Sequence, residues 1–244
     1  MGALEATVAK FDDLLSRERF AEAGELLRAS IEKSADAREK ISLYNELMGF
    51  ERQYGTDENA VKAAENALSL LEREELSDSK PAAYVFLNAA TVYSHAGGKE
   101  TALAYYRRAE TLFTRYYPPG AKDFAGLYNN MASCYSDETS WRTAAYYYER
   151  AAGILARQGD LCDLSVTYYN LAALYARFEP ASDEVSRFSS LGRRLLDAPE
   201  EKRDAYYYYT CRKAAAASAT LGLFADEEAY RQRADAFYER DRTQ

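Results

Sequence analysis

Two stretches of this chain, NAATVYSHAGGKETALAYYRRAETLF from Asn88 and NMASCYSDETSWRTAAYYYERAAGIL from Asn130, write one pattern twice at a separation of 42 residues. Asn88/Asn130, Ala90/Ala132, Tyr93/Tyr135, Ala102/Ala144, Tyr106/Tyr148 and Ala109/Ala151 all coincide in one register. A period in this range marks a stacked repeat, in which each copy is one supersecondary unit. The frame extends in both directions. Backwards, Ala60 and Ala67 align with Ala102 and Ala109, with Met48 at the first small position. Forwards, NLAALY from Asn170 to Tyr175 repeats the first half after 40 residues, and Phe188 continues it into the second half. A fifth copy runs through Ala217, Ala229 and Ala236, and an atypical leading copy, RFAEAGELLRASI, begins at Arg19.

Each copy reads as two amphipathic helices joined by a short polar turn, such as HAGGKE or SDETSW. Ala, Leu, Glu and Arg recur throughout and lose little rotamer freedom in a helix. Five prolines and twelve glycines are too few for a many-stranded or disordered chain. Small residues at the alanine positions let antiparallel helices approach closely, while Tyr and Leu fill the space between turns. One such pair cannot bury its own apolar face, so neighbours must stack. The expected fold is all-α, an α–α superhelix of five to six helix pairs forming one solenoid domain over residues 1–244. Within it, residues 1–36 form an atypical leading pair, 37–198 the core repeats and 199–244 the last pair. Pro118-Pro119-Gly120 must end a helix, and Pro81 and Pro199 stand where helices can start.

The elements AAxxY and AxxxY resemble the tetratricopeptide signature, L-G-x2-Y followed by A-x3-F. The 42-residue period is similar to the kinesin light chain type, whose NLA element matches Asn170-Leu171-Ala172. The resemblance covers most of residues 37–240 and is strongest over 81–178. It implies a right-handed solenoid whose first helices line a concave groove. On that groove it places Asn88, Asn130 and Asn170, with Asn129 and Tyr169 adjacent. Asn45, 43 residues before Asn88, stands one position out of register. The same helices add Tyr84, Thr91, His95, Ser133, Asp137 and Arg177. An asparagine amide both donates and accepts, so a ladder of them can hold an extended peptide backbone whatever its side chains. The other reading, equally open, is that these amides bridge neighbouring helices, since a repeat regenerates any structural residue at its own period.

The remaining features narrow the function class. A net charge of −8, of which −7 falls in residues 1–80, disfavours phosphate-backbone binding. Cys134, Cys162 and Cys211 lack the spacing of a disulfide framework and suit reduced thiols. The first twenty residues carry no signal-peptide order, Ala6 breaks the myristoylation pattern, and no apolar run reaches the length of a bilayer span. The expected location is therefore cytoplasmic. His95 is the sole histidine, and no zinc spacing, calcium loop or phosphate loop appears. The chain is read as a non-catalytic binding scaffold without cofactor or metal. Its partner would be a protein or extended peptide segment, not nucleic acid or membrane, and self-association through the array ends is open. A cytosolic bacterial peptide-sensing regulator acting through a partner chain is the second reading, and a helical enzyme the third.

The stretch DAYYYYTC, Asp204 to Cys211, sets four tyrosines in succession. At about 100° per residue they sweep most of the way round a helix. They must therefore divide between core and solvent, which a ring with a polar tip tolerates.

Overall fold

The computed structural model describes residues 2–198 and 203–241, the side chains of residues 3 and 237–241 aside. Pro199 lies outside the described residues. The described residues form twelve helices in six pairs: Ala3–Ser16 (α1) with Phe20–Lys33 (α2), Ala37–Tyr54 (α3) with Asp57–Arg73 (α4), and Ala82–His95 (α5) with Lys99–Tyr116 (α6). Then come Lys122–Cys134 (α7) with Trp141–Gln158 (α8), Leu161–Phe178 (α9) with Glu184–Leu196 (α10), and Ala205–Thr220 (α11) with Phe224–Asp241 (α12). They belong to two compact units, Met1–Pro119 and Gly120–Gln244, divided at the Pro-Pro-Gly step.

Local chemistry sets the helix boundaries. Asp36, Thr56, Asp160 and Asp204 cap α3, α4, α9 and α11, each side chain accepting a backbone N–H of the first turn. Each such cap contributes about 1 kcal/mol. Pro81 opens α5, where its missing N–H costs nothing. The turn after α8 places Gly159 at φ 69°, a left-handed conformation in which a Cβ is strained.

Packing follows the alanine register. Within the first unit each helix packs on the next and α3 also packs on α5; in the second, α9 packs on α8, α10 and α11. Ala60, Ala67, Ala90, Ala102, Ala109, Ala132, Ala144, Ala151 and Ala172 are all buried, so the small residues recurring at the repeat period are the helix–helix contacts. The fifth copy departs from the sequence reading. Its buried alanines are Ala214, Ala215 and Ala234, whereas Ala217 and Ala229 are half-buried and Ala236 exposed. The run Ala214 to Ala217 carries no phase of its own, and the contact with α9 sets which of its faces turns inward.

The tyrosine content has a repeated structural use. In α5/α6, Tyr105 from the second helix lies beside Phe86 and Tyr93 of the first, with centroids 5.8 and 5.6 Å away. In α7/α8, Tyr147 lies beside Tyr128 and Tyr135 at 5.7 and 5.7 Å. In α9/α10, Phe188 lies beside Tyr168 and Tyr175 at 5.8 and 5.9 Å. The two first-helix rings are seven residues apart, two helical turns, leaving room for one ring between them. Each ring pair adds about 0.5–1.5 kcal/mol beyond its buried area.

The four consecutive tyrosines divide as their helical phases require. Tyr207 is fully buried, donating its hydroxyl to the Leu196 carbonyl at 3.0 Å and accepting from Arg233 at 3.2 Å. Tyr208 is half-buried against the same cluster. Tyr206 and Tyr209 are exposed. Tyr206 donates to Asp163, which also pairs with Lys122 at 3.1 Å, so the starts of α7, α9 and α11 are tied along one edge. Partial desolvation, and then the adjacent Asp163 and Asp160 carboxylates, hold its phenol well above the usual tyrosine range. All three cysteines are free thiols.

Candidate functional site

The first helices α5, α7 and α9 each carry one half-buried to exposed polar stripe. On α5 it comprises Tyr84, Asn88, Thr91 and His95, at spacings of four, three and four residues that keep them on one face. On α7 it comprises Asn130 and Ser133, and on α9 Asn170 and Arg177. The helices turn these faces outward because the opposite faces carry buried residues, Ala83, Phe86 and Ala90 on α5 and Phe124, Tyr128 and Ala132 on α7.

In the first unit the asparagines meet each other. Asn88 Nδ2 donates to Asn45 Oδ1 at 3.0 Å, both half-buried, so Asn45 sits beside Asn88 despite its shifted sequence register. One contact leaves the Asn88 carbonyl and the Asn45 amino group still able to bond. His95 ends α5, its Nδ1 2.8 Å from Asp57 Oδ1 at the start of α4. Tyr84 is edge-on to Phe113 and Tyr117 at 5.2 and 6.1 Å.

In the second unit the adjacent asparagines divide the work. Asn129 turns to α9, donating to Thr167 Oγ1 at 3.0 Å and standing 3.2 Å from it through its own carbonyl oxygen. It is therefore a bridge between first helices, the second of the two readings open for these amides. Asn130 and Asn170 are half-buried, and their amides have no hydrogen-bond partner among the described residues. Ser133 is exposed beside them, and Arg177 reaches the Ser136 carbonyl at 3.5 Å with its guanidinium 4.9 Å from the Phe178 ring.

Two expected groove residues are placed elsewhere. Tyr169 is 1% exposed, its ring edge-on to Tyr230 and its hydroxyl donating to the Tyr230 hydroxyl at 3.1 Å. One residue before Asn170 is a 100° rotation, enough to carry it from the outer face into the core. Asp137 lies past the end of α7 and accepts from the Thr139 and Ser140 backbone N–H groups, both at 2.9 Å, so it builds the turn.

The stripe is also braced from behind. Tyr106 donates to Thr91 Oγ1 at 3.2 Å. The corresponding Tyr148, 42 residues on, brings its phenol to Ser133 and Ser136. Burial pushes the Tyr148 phenol up to about 12, and those two serine hydroxyls draw it back in part. Both braces lie outside the sequence expectations, although the matched 91/106 and 133/148 pairs encode them.

No protein-family model matches the chain, and no curated protein does either. Solved structures do. BtubC (BKLC) from P. vanneervenii superposes with a TM-score of 0.67 at 23% identity, covering 82% of this chain and 84% of that one. The fold is tetratricopeptide-like. A Podosopora anserina kinesin light chain protein with nearly identical TPR-like repeats gives a TM-score of 0.57 at 13% identity, over 84% of this chain and 97% of that one. The TPR-like helix pairs are thus those expected from the 42-residue register, with the all-α superhelical class. Among the described residues of this TPR-like chain, no helix is long and apolar enough to cross a membrane.

Proposed function

We propose that the chain is a non-catalytic scaffold that holds an extended polypeptide segment along the outward stripes of its first helices. The observation that carries this is the pair Asn130 and Asn170. They are equivalent amides on α7 and α9, half-buried and without partners among the described residues. Partly desolvated amides gain more from a ligand's backbone N–H and C=O than fully hydrated ones do. Ser133 adds a hydroxyl beside Asn130, and Arg177 a cation one stripe along. The bridge from Asn129 to Thr167 supports the reading because it links the two helices without using the outward amides.

The test is a twelve-residue random peptide library displayed on phage and selected against the full chain. Selected peptides should lose about five- to tenfold in affinity for Asn130→Ala and for Asn170→Ala, one hydrogen bond of about 1 kcal/mol each. Melting temperature should stay within about a degree. Unchanged affinity in both variants, or a large loss of stability instead, refutes the assignment.

A further inference from the structure

Among the described residues three of the six pairs carry the three-ring stack, and α3/α4, the pair just before the first of them, does not. In α3/α4 the positions 42 residues before Phe86, Tyr93 and Tyr105 hold Tyr44, Glu51 and Ala63. All three line a cleft of about 740 Å³ formed by α2, α3 and α4. The middle ring has become a methyl group and one outer ring a carboxylate. Another part of the lining is aromatic, with Phe20 and Tyr54 stacked at 4.2 Å and Phe50 5.6 Å from Tyr54.

Glu51 is 4% exposed, an unusual setting for a carboxylate. Its Oε1 accepts from Arg28 Nη1 at 2.5 Å and its Oε2 from Asn59 Nδ2 at 3.3 Å. Gly55 leaves room for the carboxylate, since a Cβ there would lie 1.9 Å from Oε2. Each oxygen can accept a second hydrogen bond, so the site offers a buried anionic acceptor beside aromatic surface. A neutral O–H or N–H donor on a flat ring complements it in charge and shape.

We propose that this cleft binds a tyrosine or tryptophan side chain presented by a polypeptide. The ring takes the place that Tyr105, Tyr147 and Phe188 occupy in the three intact stacks, against Tyr44 at a centroid separation near their 5.6–5.9 Å. Its phenol or indole donor meets Glu51. Arg28, Glu32, Lys62 and Asn66 line the cleft where they can meet the flanking backbone. The cleft, on α2, α3 and α4, is lined by none of the stripe residues, so this site stands or falls independently of the groove reading.

The probes are N-acetyl-tryptophanamide, N-acetyl-tyrosinamide, N-acetyl-phenylalaninamide and N-acetyl-leucinamide, titrated into the methyl-labelled full chain and followed by NMR. The tryptophan and tyrosine amides should shift the Ile31 and Leu47 methyl signals saturably. The phenylalanine amide, lacking the donor, should bind about fivefold more weakly, and the leucine amide at least roughly tenfold more weakly, since it lacks the ring as well. Ala63→Tyr completes the internal stack and should cut the tryptophan-amide affinity by roughly tenfold or more, by filling the site. Equal binding of the leucine amide, or wild-type affinity in Ala63→Tyr, overturns the proposal. If Ala63→Tyr does not fold, the wild-type titration decides: absent or non-saturating shifts at Ile31 and Leu47 overturn it.

Discussion

Removing one middle ring tests whether the aromatic stacks hold the pairs together. Phe188 is the cleanest choice, being 4% exposed, without a hydroxyl, and in contact with Tyr168 and Tyr175 at 5.8 and 5.9 Å. Phe188→Leu keeps most of the apolar bulk and deletes two ring pairs, which at about 0.5–1.5 kcal/mol each gives a loss of about 1–3 kcal/mol. Phe188→Ala adds a cavity between α9 and α10 and should cost about 3–5 kcal/mol. Trp141, the single tryptophan, belongs to the same apolar cluster and lies edge-on to Tyr175 at 5.6 Å, so its fluorescence reports this region during urea unfolding. With a urea slope of about 3 kcal/mol per molar, the alanine variant should unfold about 1 M or more earlier. If both variants stay within about 0.5 kcal/mol of wild type, below any ring-pair contribution, the stacks are incidental and the reasoning fails.

Further outcomes follow from single contacts. A double-mutant cycle on Asn45→Ala and Asn88→Ala, read by thermal unfolding, should give a coupling of about 0.5–1.5 kcal/mol, whereas strict additivity would mean the amides do not pair. Gly192→Ala should destabilise by about 1–3 kcal/mol despite its better helix propensity, because the new Cβ would lie 2.9 Å from the Tyr169 ring; a rise in melting temperature would contradict this packing. Burial, and then the nearby Asp12 charge, hold the Glu46 carboxyl above its usual range, so the folded state binds its proton more readily than the unfolded chain. Its charging therefore costs stability as pH rises, and Glu46→Gln should melt higher at pH 7, with the gap closing below about pH 4.3. A gap that persists in acid would assign the effect to something other than ionisation.

Much of the architecture is written in the chain at its own period. Ala102/Ala144 and Ala109/Ala151 mark helix contacts because only a small residue admits that approach, and repetition separates them from the many other alanines. The rings at 93, 135 and 175 were legible for the same reason. Position within a helical turn was harder to read. Tyr169 and Asn170 are neighbours in sequence, yet the roughly 100° between them takes one into the core and leaves the other half-buried, and Asn129 finds Thr167 across a 38-residue separation that no repeat register specifies. The fifth copy misled because four successive alanines fit several phases equally. The cleft at Glu51 was encoded as a departure from the pattern, visible only once the structure showed what 44, 51 and 63 do in the other copies.

The claim that the first-helix stripes grip an extended segment is tested most directly by site-specific photocrosslinking. A benzophenone amino acid placed at Ser133, exposed on α7, is compared with one at Glu149, exposed on α8, using a peptide selected on the full chain. Groove binding requires crosslinking from position 133, suppressed by Asn130→Ala, and little from 149. Capture from 149 with none from 133 would contradict it.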